Sequence, residues 1–91
     1  MDNLSEAMRK EEVRSAESAL AYLTDCTLAT VSSMAMTKSR RKGEYRRQIA
    51  IAQTAVDWME QLEVPGDTTR VAEVRKYGSV EKWARSYEAK P

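Results

Sequence analysis

The sequence predicts an all-α fold: a long first helix and a second helix form an antiparallel hairpin, followed by one or two short C-terminal helices. Apolar side chains recur every three or four residues along most of the chain, which is the spacing of one face of an α-helix. No segment shows the alternation of apolar and polar residues that is typical of a half-buried strand. Glycine and proline are few, so long uninterrupted helices are expected between them. At 91 residues, the chain is expected to form one helical domain, 1–91.

The first helix is predicted over about residues 5–39. Its predicted core face is a stripe at helical spacing, formed by Val13, Ala16, Leu20, Leu23, Thr27, Val31 and Met34. Asn3 or Ser5 is expected to cap its start. Segment 24–37 is rich in threonine and serine, and this weaker helix propensity leaves a kink or a break open there. Cys26 is predicted to be a small buried residue, because it lies at helical spacing between apolar neighbours.

The second helix is predicted over about residues 44–63. Its apolar stripe consists of Tyr45, Ile49, Ala52, Val56, Met59 and Leu62, and it is widened by Ile51, Ala55 and Trp58. Gly43 marks the turn before this helix, and the run Val64-Pro65-Gly66-Asp67 is a strong signal for a turn after it. Because the turn at Gly43 is short, the two helices are expected to fold back as an antiparallel hairpin.

The C-terminal part is predicted to contain one or two short helices within residues 68–89. Thr68 or Thr69 is expected to cap the first, which carries Val71, Val74 and Tyr77 on one side. Gly78 and Ser79 resemble a stop and a new cap, but a single glycine costs only about 1 kcal/mol inside a helix, so one continuous helix stays open. Most aromatic side chains are predicted to pack in the core, with a stacking platform for bases as the alternative; they are Tyr22, Tyr45, Trp58, Tyr77, Trp83 and Tyr87.

Several classes of function are disfavoured by composition. The chain has no histidine and one cysteine, which removes the commonest general base and an ordinary zinc site, and no catalytic residue, metal or cofactor is predicted. The three glycines stand alone, so there is no glycine-rich phosphate loop. A lone cysteine forms no internal disulfide, and residues 1–12 do not resemble a secretory signal, so a reducing cytoplasm is the expected compartment. No apolar run has the roughly 20 residues that a membrane-spanning helix needs.

Charge is strongly segregated along the chain although the net charge is only +1. Residues 38–47 carry a net charge of +5, whereas residues 1–37 carry −3 and residues 48–69 carry −4. We call the basic residues of this segment the basic turn: Lys38, Arg40, Arg41, Lys42, Arg46 and Arg47. The first four suit the negative C-terminal end of the first helix, whereas Arg46 and Arg47 lie in the first turn of the second helix and oppose its dipole. These two arginines therefore indicate either a partner-binding site or internal ion pairs with Glu73, Glu81 or Glu88.

The leading hypothesis is a non-enzymatic interaction protein that uses the basic turn to bind either an acidic protein surface or the nucleic-acid-binding face of a host complex. The alternative is direct binding of nucleic acid, in which phosphates also contact a secondary basic surface. That surface comprises Arg70, Arg75, Lys76, Lys82 and Arg85. Residues 74–84, with Gly78 between two short helices, allow a helix-turn-helix interpretation. No membrane partner is expected.

A homodimer, in the form of a four-helix bundle, is also predicted, because a two-helix hairpin with a long first helix buries little surface by itself. The wide apolar face of the second helix would remain exposed in a monomer, as would Met8, Leu28 and Met36, which lie off the main stripe of the first helix. Coverage of the apolar face by the C-terminal helices is the alternative, and it would leave a monomer.

Three segments resemble small helical proteins of unknown function that are encoded by bacteriophages. They are Ala19-Leu20-Ala21-Tyr22-Leu23, Arg46-Arg47-Gln48-Ile49-Ala50-Ile51-Ala52 and Val80-Glu81-Lys82-Trp83-Ala84-Arg85-Ser86-Tyr87-Glu88. The resemblance implies a phage protein that handles nucleic acid or blocks a host system, including a host defence. It assigns no role to any individual residue.

Overall fold

The computed structural model is all-α, as the sequence predicts. It describes residues 2–37, 41–65 and 68–88, with side chains described from residue 4 onward. These ranges contain four helices and no strand: α1 (Asp2–Ala35), α2 (Lys42–Gln61), α3 (Thr69–Tyr77) and α4 (Val80–Glu88). Helices α1 and α2 form the hairpin, and α4 packs against both of them. Helix α3 packs against α1 and α4.

Helix α1 starts and ends earlier than the sequence predicts, and it runs without a break through its threonine- and serine-rich part. The hydroxyl groups there donate to carbonyl oxygens three or four residues earlier in the same helix. Thr24 Oγ1 donates to the Leu20 carbonyl at 2.7 Å, and Ser32 Oγ donates to the Ala29 carbonyl at 3.0 Å. Because these hydroxyls are satisfied locally, Thr24 and Ser32 are buried without a partner on another helix.

The buried side of α1 is rotated from the predicted stripe. Its buried members are Thr24, Leu28, Val31, Ser32 and Ala35. Val31 was predicted correctly, and Leu20 and Met34 are partly buried against the core. The prediction is wrong for Val13 and Leu23, which are 56% and 60% exposed. Helices α3 and α4 pack against α1, so the side that carries Leu28 becomes the core and the side that carries Leu23 lies at an edge.

The same rotation corrects two other predictions for α1. Leu28 is fully buried, not surplus surface, and Cys26 is exposed, not buried. Every described side chain from residue 4 to residue 16 is exposed, so the first turns of α1 project beyond the rest of the molecule. The whole structure accordingly measures 62 × 23 × 16 Å.

Helix α2 buries the predicted stripe over most of its length. Tyr45, Ala52, Val56 and Met59 are buried, Ile49 is partly buried, and Leu62 is exposed. The helix ends in a Schellman motif, in which the Val64 amide donates to the Met59 carbonyl at 2.9 Å and the Glu63 amide donates to the Glu60 carbonyl at 3.2 Å. Glu63 takes a left-handed conformation with a φ of 53°.

The C-terminal region forms two helices, which settles the choice left open by the sequence. Thr68 caps α3, with its hydroxyl accepting from the Val71 amide at 3.3 Å. Gly78 ends α3 with a φ of 97°, and the Ser79 hydroxyl then accepts from the Lys82 amide in the first turn of α4. Gln53 of α2 also accepts from the Val80 amide at 2.8 Å, which joins the start of α4 to α2.

The aromatic residues divide between the core and the surface. Trp83 and Tyr45 are buried as predicted, and the rings of Trp83 and Tyr87 meet edge to face at a centroid distance of 5.2 Å. The prediction of core packing is wrong for the other three aromatic residues, which are at least 46% exposed: Tyr22, Trp58 and Tyr77.

Candidate functional site

The basic turn lies at one end of the hairpin, around the start of α2. Arg41 is the N-cap residue of α2 and makes no side-chain capping hydrogen bond; Lys42, Arg46 and Arg47 lie in the first two turns of the helix. All four side chains are exposed. Lys38 and Arg40 lie outside the described residues. Helix α1 ends at Ala35 with no basic residue in its last turn, whereas Lys42, Arg46 and Arg47 lie in α2 itself.

Internal ion pairs do not account for Arg46 and Arg47. The ion pairs among the described residues are Arg70–Asp25, Arg75–Glu60 and Arg85–Glu81, and none includes a residue of the basic turn. The carboxylates that the sequence offered to these arginines have other partners. Glu81 pairs with Arg85 at 2.9 Å, Glu88 accepts from the Tyr45 hydroxyl at 3.0 Å, and Glu73 accepts from two aromatic side chains.

Arg46 and Arg47 belong to different surfaces, although they are adjacent in sequence. Consecutive residues of an α-helix point about 100° apart. Arg46 borders a cavity of about 330 Å³ on the α4 side, together with Lys42 one turn earlier and Arg85 of α4. Arg47 borders a groove between α1 and α2. Of the described basic turn, Lys42 and Arg46 therefore face a cavity that also contains the carboxylates of Glu81 and Glu88, whereas Arg47 faces the groove.

The secondary basic surface is largely neutralised within the chain. Arg70 Nη1 lies 3.1 Å from Asp25 Oδ2, and Arg75 Nε lies 2.6 Å from Glu60 Oε1. Arg75 also donates to the Val64 carbonyl at 3.4 Å, and Arg85 pairs with Glu81. Lys76 and Lys82 are exposed and have no ion pair with another described residue. Only two cations of this surface are thus left to meet phosphates.

A second candidate surface is an apolar groove along the hairpin, which we call the outer face. It is lined by α1 and α2 alone, has a volume of about 570 Å³ and presents almost only apolar atoms. Its apolar members are Leu20, Leu23, Ala50, Ile51, Ala55 and Trp58. Leu23, Ile51 and Trp58 are 60%, 44% and 57% exposed, so three large apolar side chains meet solvent on one surface.

The wide apolar face of the second helix was predicted to remain exposed in a monomer, whereas the α1 half of the outer face was assigned to the core. On α1, Leu20 and Leu23 belong to the stripe that was assigned to the interior, and on α2, Ile51, Ala55 and Trp58 are the residues that widen the buried stripe. A stripe wider than one neighbouring helix can cover indicates a second contact surface. The width of the apolar stripe on α2 was therefore the available signal.

Within the described ranges, no group of three or more cysteine, aspartate or glutamate side chains is placed to hold a metal ion. None of the helices in those ranges has the length and apolar character that crossing a membrane requires. The chain matches no protein-family model, no curated protein and no solved structure.

Proposed function

We propose that this chain is a non-enzymatic interaction protein that binds an acidic protein surface through the α4-facing part of the basic turn. The observation that supports this most directly is that Lys42 and Arg46 are exposed side by side without an ion pair to a described carboxylate. Both border the same cavity. A positive charge in the first turns of a helix costs a few tenths of a kcal/mol, and an acidic partner would reverse this cost.

The geometry of these cations suits carboxylates. Lys42 and Arg46 are four residues apart on one helix, so their side chains lie side by side about one turn apart. Arg46 has a planar guanidinium that donates two parallel hydrogen bonds to a carboxylate. The sequence left two host surfaces open as partners, an acidic protein surface and the nucleic-acid-binding face of a complex. The second is itself basic and would repel Lys42 and Arg46, so the acidic surface fits better.

The absence of histidine and of a metal-holding group in the described residues supports a binding role over catalysis. The resemblance to phage-encoded helical proteins and the cytoplasmic location stay predictions, and under them the acidic surface belongs to a host protein. Direct nucleic-acid binding receives less support, because Arg70, Arg75 and Arg85 are occupied by Asp25, Glu60 and Glu81.

Two double charge reversals of equal size test this proposal. Lys42→Glu with Arg46→Glu removes the cations that carry it, and Lys76→Glu with Lys82→Glu changes the charge equally elsewhere. Binding to a poly-glutamate peptide and to random double-stranded DNA is measured by fluorescence anisotropy over a series of salt concentrations. We expect the first variant to weaken poly-glutamate binding about tenfold, since each pair contributes about 0.5–1 kcal/mol. The second variant should bind as the unmodified chain does.

Circular dichroism must show that both variants keep their helices, which is expected because all four side chains are exposed. Equal loss of DNA binding in both variants, with no binding of poly-glutamate, would replace the proposal by direct nucleic-acid binding. Unchanged poly-glutamate binding in the first variant would remove Lys42 and Arg46 from consideration.

A further inference from the structure

The outer face is large enough to be an interface. Helix α2 is 20 residues long. Two packed helices of this length present a face of about 30 by 20 Å, or roughly 600 Å² in projection. The accessible area of a corrugated helical surface exceeds its projection, and a stable interface buries about 800 Å² on each partner. The groove is open along the hairpin, so an extended protein surface covers it better than a small molecule does.

The charges of α2 indicate what covers this face. Its first turns contain Lys42, Arg46 and Arg47 against a single acid, Glu44, whereas its last turns contain Asp57 and Glu60 and no basic residue. Glu60 is paired with Arg75 of α3, so Asp57 is the acid of these turns that has no ion pair with another described residue. The side-chain charges therefore oppose the helix dipole at both ends: they are basic at its positive N-terminal end and acidic at its negative C-terminal end. A second α2 that runs antiparallel alongside the first brings each end next to its opposite, both in side-chain charge and in dipole.

The geometry points to a second copy of this chain as the occupant of the outer face, packed with its helices antiparallel to those of the first copy. The two-fold axis then lies in the interface and perpendicular to the helices, so that α1 crosses its equivalent and α2 crosses its equivalent. Arg47, which borders the groove, lies near the end of the partner copy's α2. A two-fold axis parallel to the helices would instead bring both basic turns to the same end, where they repel.

All three cations of the first turns of α2 contribute to the charge argument for the dimer, but the side chains in contact differ: the dimer contacts Arg47 and the outer face, whereas the acidic partner contacts Lys42 and Arg46. The dimer leaves the α4 side of each hairpin open. Arg46 and Arg47 therefore have separate roles, so the dimer can be disproved without disproving the acidic partner, and the reverse.

The first experiment measures mass by multi-angle light scattering over a range of micromolar concentrations. We expect twice the chain mass of 10.3 kDa for the unmodified protein and for Tyr22→Glu, whose side chain is 69% exposed but does not line the groove. Leu23→Glu and, separately, Trp58→Glu should give the single-chain mass with unchanged circular dichroism. A single-chain mass for the unmodified protein at all concentrations overturns the proposal, and so does a dimer that persists in both groove variants.

The second experiment tests the orientation. In a Cys26→Ser background, Ser5→Cys carries a spin label, and electron–electron resonance measures the distance between the two copies of the label. Ser5 lies 18 residues from Leu23 near the middle of the groove. The antiparallel arrangement therefore separates the labels by about 50 Å, whereas the parallel arrangement places them within about 30 Å. The shorter distance would overturn the antiparallel dimer.

The third experiment uses the neighbouring arginines as a matched pair at low ionic strength. Arg47→Glu should raise the dimer dissociation constant about tenfold, because the reversal occurs twice in a symmetric dimer. Arg46→Glu has the same charge change on the α4 side, farther from the partner copy, and should raise this constant less. Equal effects of the two substitutions would contradict the placement of Arg47 at the interface.

Discussion

Glu73 holds two aromatic side chains of α4 with one carboxylate oxygen. Its Oε2 accepts from Trp83 Nε1 at 2.8 Å and from the Tyr87 hydroxyl at 3.2 Å. Trp83 is fully buried, so its N–H group has no access to water. Burial, together with the hydrogen bond to Glu73, raises the pKa of Tyr87 above its ordinary value. Within the described residues, this acid is what allows a tryptophan to fill the centre of the core.

Replacement of Glu73 by alanine should therefore destabilise the fold. An unsatisfied buried N–H costs about 1–3 kcal/mol, and we expect the free energy of unfolding in urea to fall by about this amount. Glu73→Gln, which keeps a carbonyl oxygen in the same place, should lose less than Glu73→Ala. Equal stability of Glu73→Ala and the unmodified chain would show that Trp83 finds another acceptor.

Two helix ends in the described ranges use a left-handed residue, but only one of them is glycine. Gly78 ends α3 with a φ of 97°, whereas Glu63 follows α2 with a φ of 53°. A residue with a Cβ pays about 1–2 kcal/mol in this conformation. Glu63 is kept there because the Schellman hydrogen bonds and the burial of Val64 fix the end of the helix.

Substitutions at these two ends should have opposite effects. Glu63→Gly should raise the free energy of unfolding by about 0.5–1 kcal/mol, since the relief of strain is partly offset by greater freedom of the unfolded chain. Gly78→Ala should lower it by about 1 kcal/mol, and conformation alone is responsible, because a Cβ at Gly78 would meet no atom within 4 Å. Urea unfolding of both variants measures the difference, and effects of the same sign would contradict the argument.

The sequence predicts the helices and the caps of α3 well because these depend on local signals, whereas the prediction that Asn3 or Ser5 caps the first helix is wrong, since both residues lie inside α1. Thr68, Gly78 and the buried stripe of α2 are confirmed. The buried side of α1 could not be predicted in the same way, since this helix has apolar residues on two neighbouring sides. Only the packing of α3 and α4 decides that Leu28 is interior and Leu23 is not. The α1 half of the outer face was missed for this reason.

The separation of Arg46 from Arg47 could not be predicted from the sequence either, because it depends on where α4 lies. A sequence places Arg46 and Arg47 together, whereas the cavity beside α4 and the groove beside α1 separate them. The internal ion pairs Arg70–Asp25 and Arg75–Glu60 join residues 45 and 15 positions apart. The distribution of charge along the sequence does not show which of these residues meet in the fold.

At the scale of the molecule, every described side chain of the projecting part of α1, residues 4–16, is exposed. Removal of residues 1–12 should therefore shift the melting temperature by less than about 4 °C, which corresponds to less than about 1 kcal/mol for a domain of this size. Thermal unfolding followed by circular dichroism measures this, with a loss of helical signal in proportion to the deleted turns. A much larger decrease would show that the projecting turns are covered in solution.

The length of α1 also affects how the molecule moves through water. The radius of gyration is 16.0 Å. A compact chain of this size would have a value of about 12 Å. Such a rod tumbles slowly about its short axes and has more hydrodynamic drag than a sphere of equal mass. On a gel-filtration column it elutes early, where a heavier compact protein would elute, so elution volume alone overstates the number of chains.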